Sequence, residues 1–131
     1  MRIWSLVCVA LTAACALTTQ PSPALDEDFS VRLGESVSVD GGQLTVGLRE
    51  VPEDSRCPTD VQCVRAGEAV VTLNLVRPGK QPSTLTLRTT PGKDVAAFDE
   101  YRVELRDVNP KPRTGGSPAE TYVATLRVHR G

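Results

Sequence analysis

Aromatic residues are scarce: one Trp, two Tyr and two Phe in 131 residues. A surface that stacks nucleobases needs several aromatics close together, and here they are scattered. An excess of one charge sign is missing too. Fifteen Lys and Arg balance sixteen Asp and Glu, for a formal net charge of −1. A nucleic-acid binder would carry a basic surplus or stripe, so nucleic acid is not an expected partner. Histidine occurs once, at His129 beside the C-terminus. A general base must be positioned by its surroundings, and chain ends usually fray. The sequence contains no G-x-S-x-G, no H-E-x-x-H and no phosphate-cradling Gly loop. No catalytic residue and no cofactor are therefore expected, and the chain reads as a non-enzyme. Asp99, Glu100, Glu104 and Asp107 read as a wet sheet face with its flanking turns.

Long hydrophobic runs are also lacking. The one apolar stretch, Ile3 to Ala14, is shorter than the ~20 residues that cross a bilayer as a helix. Arg2 precedes it, and the polar, Pro-containing stretch Thr18 to Pro23 follows. That order is the pattern of an export signal. The expected organisation is a signal peptide over residues 1–16, a flexible linker over 17–27 and one domain over 28–131. Leu11-Thr12-Ala13-Ala14-Cys15 resembles a bacterial lipobox, with Thr12 where an aliphatic residue is usual. It implies cleavage before Cys15 and lipid attachment to that thiol. Small-x-small sites at Ala14-Cys15-Ala16 and Ser22-Pro23-Ala24 offer ordinary cleavage instead. The expected address is extracytoplasmic, with membrane contact only through a lipid anchor, or periplasmic or secreted without one.

Cysteine is sparing, with four residues. Cys8 and Cys15 fall in the leader, so Cys57 and Cys63 alone belong to the domain. Two nearby cysteines in an oxidising compartment read as a disulfide. Zinc is not expected, because C-x5-C lacks the C-x2-C spacing and His129 is distant in sequence.

What is present is a period of two. Phe29, Val31 and Leu33 alternate with polar residues, as do Val37 and Val39. Asp40-Gly41-Gly42 is a hairpin signal, followed by Leu44, Val46 and Leu48. Ala69 to Val76 is apolar at nearly every position, as in a central strand. Arg77 to Lys80 and Thr90 to Lys93 read as turns around a strand with Leu85 and Leu87. Tyr101, Val103 and Leu105 alternate, then Tyr122, Ala124, Leu126 and Val128 after a Pro/Gly-rich loop at 109–119. About seven short strands at this spacing predict an all-β fold, a small antiparallel β-sandwich with a Greek-key barrel as alternative. A monomer is expected.

The segment between the first hairpin and the central strand reads Glu53-Asp54-Ser55-Arg56-Cys57-Pro58-Thr59-Asp60-Val61-Gln62-Cys63-Val64-Arg65-Ala66-Gly67-Glu68-Ala69. It resembles a motif of small bacterial secreted proteins and lipoproteins of unknown function. There D-S-R-C-P precedes a second Cys, an aromatic-Ala/Glu-Gly turn and an apolar strand. This chain has Arg65 where the family usually has Trp. The resemblance spans most of the mature chain and implies a fold and an exported address, but no activity. From the residues alone, Pro58 stiffens the loop entrance and allows a helical turn through Gln62. Gly67 turns the chain into the next strand with positive φ. The acids Glu53, Asp54, Asp60 and Glu68 match no calcium loop and lie among Arg56 and Arg65, so solvated ion pairs are expected and no metal. Asp54, Arg56, Asp60 and Arg65 form the candidate recognition loop, with structural support as the plainer role. Two functions follow: a non-catalytic binding or accessory domain at the cell envelope, its partner a protein or envelope ligand, or a small extracytoplasmic enzyme inhibitor presenting one stiff loop.

Overall fold

A computed structural model of the chain describes residues 22–115 and 121–131. The expected leader, with Cys8 and Cys15, and the distal part of the 109–119 loop lie outside the described residues.

Eight strands form two four-stranded antiparallel sheets. They are β1 (Asp28–Arg32), β2 (Ser36–Val39), β3 (Leu44–Asp54), β4 (Ala69–Val76), β5 (Ser83–Arg88), β6 (Val95–Phe98), β7 (Tyr101–Asn109) and β8 (Val123–Arg130). One sheet is the meander β2-β3-β4-β5. The other has the order β1-β8-β7-β6, a meander of the last three strands with β1 added beside β8. The chain therefore changes sheet between β1 and β2, and again between β5 and β6. At the first crossing an isolated bridge pairs Leu33 with Leu48.

Alternation makes this arrangement stable. Phe29 and Val31 of β1, Val103 and Leu105 of β7, and Ala124, Leu126 and Val128 of β8 point into one apolar core. They meet Val46 and Leu48 of β3 and Val71, Leu73 and Leu75 of β4. No polar or charged residue among those described is buried in it. Removing such apolar surface from water is the main force holding two sheets face to face. The sandwich expected from the period of two is the fold, and β4 is a central strand.

Three local readings need correction. β6 raises the strand count from about seven to eight; its Ala-rich Val95-Ala96-Ala97-Phe98 pairs only with β7. β3 continues through Glu50 to Asp54, a stretch that lacks alternation. Two register shifts, between Leu48 and Glu50 and between Glu50 and Glu53, break the period there. The helical turn expected from Pro58 to Gln62 is not formed. A single turn, closed by the Val61 N–H on the Pro58 carbonyl, takes its place. Residues just ahead of β1 also contact the sheets. The Asp26 N–H donates to Val128 O, the Pro23 carbonyl accepts from Asp40, and Leu25 packs against the core.

Candidate functional site

Cys57 and Cys63 are disulfide-bonded, with their Cα atoms 5.8 Å apart. The loop they close lies at the end of the sandwich where β3 and β7 finish and β4 and β8 begin. It is held on two sides. Toward its own continuation, the Ser55 N–H and Oγ donate to Glu68 O at 2.8 and 3.0 Å, and the Glu68 N–H returns a bond to Ser55 Oγ at 3.1 Å. The Cys57 N–H donates to Ala66 O at 2.9 Å. Toward the other sheet, the Thr59 N–H donates to Pro112 O at 3.0 Å, and Asp60 Oδ1 accepts from the Thr114 N–H at 3.0 Å and its hydroxyl at 3.1 Å.

Arg56 is the centre of this end. Its Nε and Nη2 donate to both oxygens of Asp54 at 2.7 Å. Nη1 donates to Val108 O at 2.6 Å and Nη2 also to Pro110 O at 2.9 Å. A planar guanidinium with a fork of donors suits this geometry as an ammonium would not. The Tyr122 hydroxyl donates to Asp54 Oδ2 at 3.1 Å. The side chains of Arg56 and Asp54 are only 12% and 13% exposed. Hydrogen bonds from Arg56 first of all hold the Asp54 carboxyl below its ordinary range. Burial first, then Asp54, pushes the Tyr122 phenol up. Asp60 is lowered chiefly by the Thr114 N–H.

Gly67 completes the local frame. Its φ is +61°, and a Cβ there would lie 1.8 Å from Ser55 O. The backbone of the returning strand passes so close to Ser55 that no side chain fits. Pro58 and Gly67 thus bracket a loop whose backbone is determined several times over.

The expected recognition residues divide. Asp54 and Arg56 are committed to each other and to the opposite sheet, and Asp60 to Thr114. Arg65 is exposed and makes no ion pair among the described residues. Residues 59–67 are exposed throughout, and among them Val61, at 44%, and Val64, at 104%, are the large apolar side chains. Sequence reasoning passed over both valines because a lone Val carries no chemical signature. Their exposure on a loop anchored at both flanks singles them out.

Glu68 has partners as well, whereas Glu53 is exposed. Glu68 accepts from Arg88 and from the Thr90 hydroxyl, both at 2.5 Å. Among the described residues no group of three or more His, Cys, Asp or Glu is arranged to hold a metal ion. His129 does not lie in a frayed end. Its Nδ1 is 2.5 Å from Asp26 Oδ1 and its Nε2 2.9 Å from Glu104 Oε2.

A groove of about 890 Å³ opens between the second half of β3 and residues 110–113, with Val51, Pro52, Pro110, Pro112 and Tyr122 in its walls. Past Leu48, β3 is paired on its β4 side alone among the described residues. Pro52, the two bulges and the exposed charges of Arg49, Glu50 and Glu53 blunt that edge against an added strand. No family model matches this chain, and neither a curated protein nor a solved structure matches it significantly.

Proposed function

We propose that this chain is a non-catalytic binding domain at the bacterial cell envelope, and that it binds with the disulfide-loop end of its sandwich. One observation carries the reading. The loop's backbone is fixed by the disulfide, the Arg56 fork and the Ser55–Glu68 bonds, while Val61, Val64 and Arg65 are left in water. A folded protein gains nothing from holding apolar side chains outward. A preformed surface, by contrast, avoids the ordering cost of association, and apolar anchors supply much of binding energy. Loops on a rigid frame commonly carry recognition. The inhibitor reading is the narrower form of the same idea, favoured by Val64 being fully exposed one residue after the disulfide.

The disulfide supports an address outside the cytoplasm. Among the described residues no helix is long and apolar enough to cross a membrane. The resemblance of the Asp54–Ala69 segment to exported bacterial proteins, and the lipobox-like stretch before Cys15, support lipid anchoring. Palmitate labelling that vanishes in Cys15→Ser tests the anchor; unlabelled wild type rejects it. The binding face is tested by crosslinking the chain in bacterial envelope extract, beside a Val61→Asp/Val64→Asp/Arg65→Glu variant. The wild type should capture a partner that the variant loses. Capture unchanged by the three substitutions would reject this face.

A further inference from the structure

The Val64–Arg65 peptide bond is bracketed by anchors that converge on one short segment. On its N-terminal side Cys63 is covalently tied to Cys57. On its C-terminal side Ala66 O accepts from the Cys57 N–H at 2.9 Å, and Glu68 exchanges three bonds with Ser55. Residues 55–57 therefore hold both flanks. Between the flanks the Val64 side chain is fully exposed.

We infer that this loop is a substrate-like inhibitor of serine endopeptidases with a small apolar specificity pocket, with Val64 as the residue that enters the pocket. The inference rests on the reading of the disulfide loop as the binding face, and names the partner's chemistry. A proteolytic site accepts an exposed loop that presents one side chain outward beside an accessible peptide bond. Val64 is short, β-branched and uncharged, which fits the small pocket of elastase-type enzymes and neither an acid-based pocket nor a deep aromatic slot. Arg65 falls on the leaving side of the bond.

The bracket explains why such a loop would block and not simply be consumed. In the target, the serine oxygen attacks the Val64 carbonyl carbon. The bond from that carbon to the Arg65 nitrogen breaks, an ester to the serine forms, and the serine's proton passes through the enzyme's histidine to the Arg65 nitrogen. In an ordinary substrate the new amine diffuses away and water hydrolyses the ester. Here Ala66 and Glu68 keep that amine beside the ester, at a high effective concentration. It attacks the ester carbonyl, the peptide bond reforms, and the serine regains its proton. No atom is lost and no co-reactant is needed. The Val64–Arg65 bond lies outside the Cys57–Cys63 ring, so a nicked chain is held together by the Ala66 and Glu68 bonds and the β4 pairing, while the disulfide keeps the Val64 side in place.

The test titrates the purified full chain against an elastase-type and a trypsin-type serine endopeptidase, with mass spectrometry after reduction to find a cut. Wild type should inhibit the elastase-type enzyme. Val64→Asp should weaken inhibition about a hundredfold, the scale lost with a binding anchor. Val64→Arg should transfer inhibition to the trypsin-type enzyme. Both variants should keep the wild-type thermal midpoint, since the replaced side chain is fully in water. Absence of inhibition, rapid cleavage at Val64–Arg65 without inhibition, or inhibition indifferent to Val64→Asp would each overturn the inference. If the elastase-type enzyme is unaffected while Val64→Asp still abolishes capture of an envelope partner, this inference fails and the binding face stands. Loss of neither activity nor capture defeats both.

Discussion

The two ends of the sandwich use the same device and leave different surfaces. At the disulfide end, the Tyr122 hydroxyl donates to Asp54, which is gripped by Arg56. At the opposite end, where β7 begins and β8 finishes, the Tyr101 hydroxyl donates to Asp40 at 2.8 Å, and Arg130 donates to the same carboxylate. In both, a tyrosine of one sheet's end reaches an aspartate of the other. Each ties the two layers where the apolar core gives out. The difference lies in what surrounds them. Around Tyr101, Arg77 lies 5.2 Å from the ring centroid and bonds to Asp99 and Glu100, which are about half-exposed. That end is a hydrated ion-pair network. Around Asp54 the arginine is sunk into backbone carbonyls, and the exposed loop beside it carries two valines among its outward residues. One end closes the fold; the other also holds out a surface.

Glycine substitution should give the widest contrast. Gly67→Ala forces a Cβ into Ser55 O, and both backbones must move. We expect a loss of about 4 kcal/mol or more, in the range reserved for severe core or backbone disruption. Gly79, in the β4–β5 turn at the other end, has φ +72° and open space around it. Gly79→Ala should cost only the left-handed penalty, about 1–2 kcal/mol. Urea unfolding of both variants measures the difference, and equal losses would mean that the close approach at Ser55 relaxes freely.

The arginines come next. Arg56→Met strands a largely buried carboxylate and two carbonyls, and should cost about 3 kcal/mol, the scale for breaking a buried pair from one side. Arg77→Met leaves Asp99 and Glu100 free to hydrate, and removes a buried Nε that has no partner among the described residues. About 1 kcal/mol is expected there. A larger loss at Arg77 than at Arg56 would reverse the comparison. Replacing both Cys57 and Cys63 by Ser opens only a small ring, so roughly 2 kcal/mol is expected from loop entropy. The β-sheet circular dichroism should survive, because the core lies between the sheets and not in the loop.

Much of this architecture was legible before the coordinates. Phe29-Ser30-Val31 and Ala124 to Val128 alternate cleanly, because each strand there faces core on one side and water on the other. The turns at Asp40–Gly42, Arg77–Lys80 and Thr90–Lys93 carry their own glycines. β6 was not legible: Val95-Ala96-Ala97-Phe98 is a four-residue strand whose pairing depends on β7 alone. The end of β3 was hidden by its bulges, which change the period that sequence reading relies on. At the loop, the disulfide and the special role of Gly67 could be read from spacing and residue type. The commitment of Arg56 to Val108 and Pro110 could not, since those carbonyls come from more than fifty residues away in the chain. His129 was misjudged for the same reason. Its partners Asp26 and Glu104 reach it only through the β1–β8 and β7–β8 pairings.

That histidine supplies the smallest expected difference between the ends, and it appears in pH dependence. Hydrogen bonds to Glu104 and then Asp26 raise the His129 pKa above its ordinary 6.5. A raised pKa means that the folded state holds the proton more tightly than the unfolded one. Its contribution is complete below pH 6.5 and is lost as pH rises through the higher folded value. Asp54 and Asp40 have the opposite sign. Arg56 chiefly lowers the first and Tyr101 chiefly lowers the second. Their contributions are present above the ordinary 3.8 and fade as pH falls through the lower folded values. Acid therefore loosens both ends, while a rise past neutrality touches only the end that carries His129. Unfolding free energies measured by urea titration across pH should decline slightly on the alkaline side, by no more than about 1 kcal/mol, the ceiling for exposed ion pairs. His129→Gln should flatten that limb and also weaken the share of the acid limb carried by Glu104, whose carboxyl is lowered chiefly by His129. If the alkaline decline persists in His129→Gln, the carboxylate clasp is not its source.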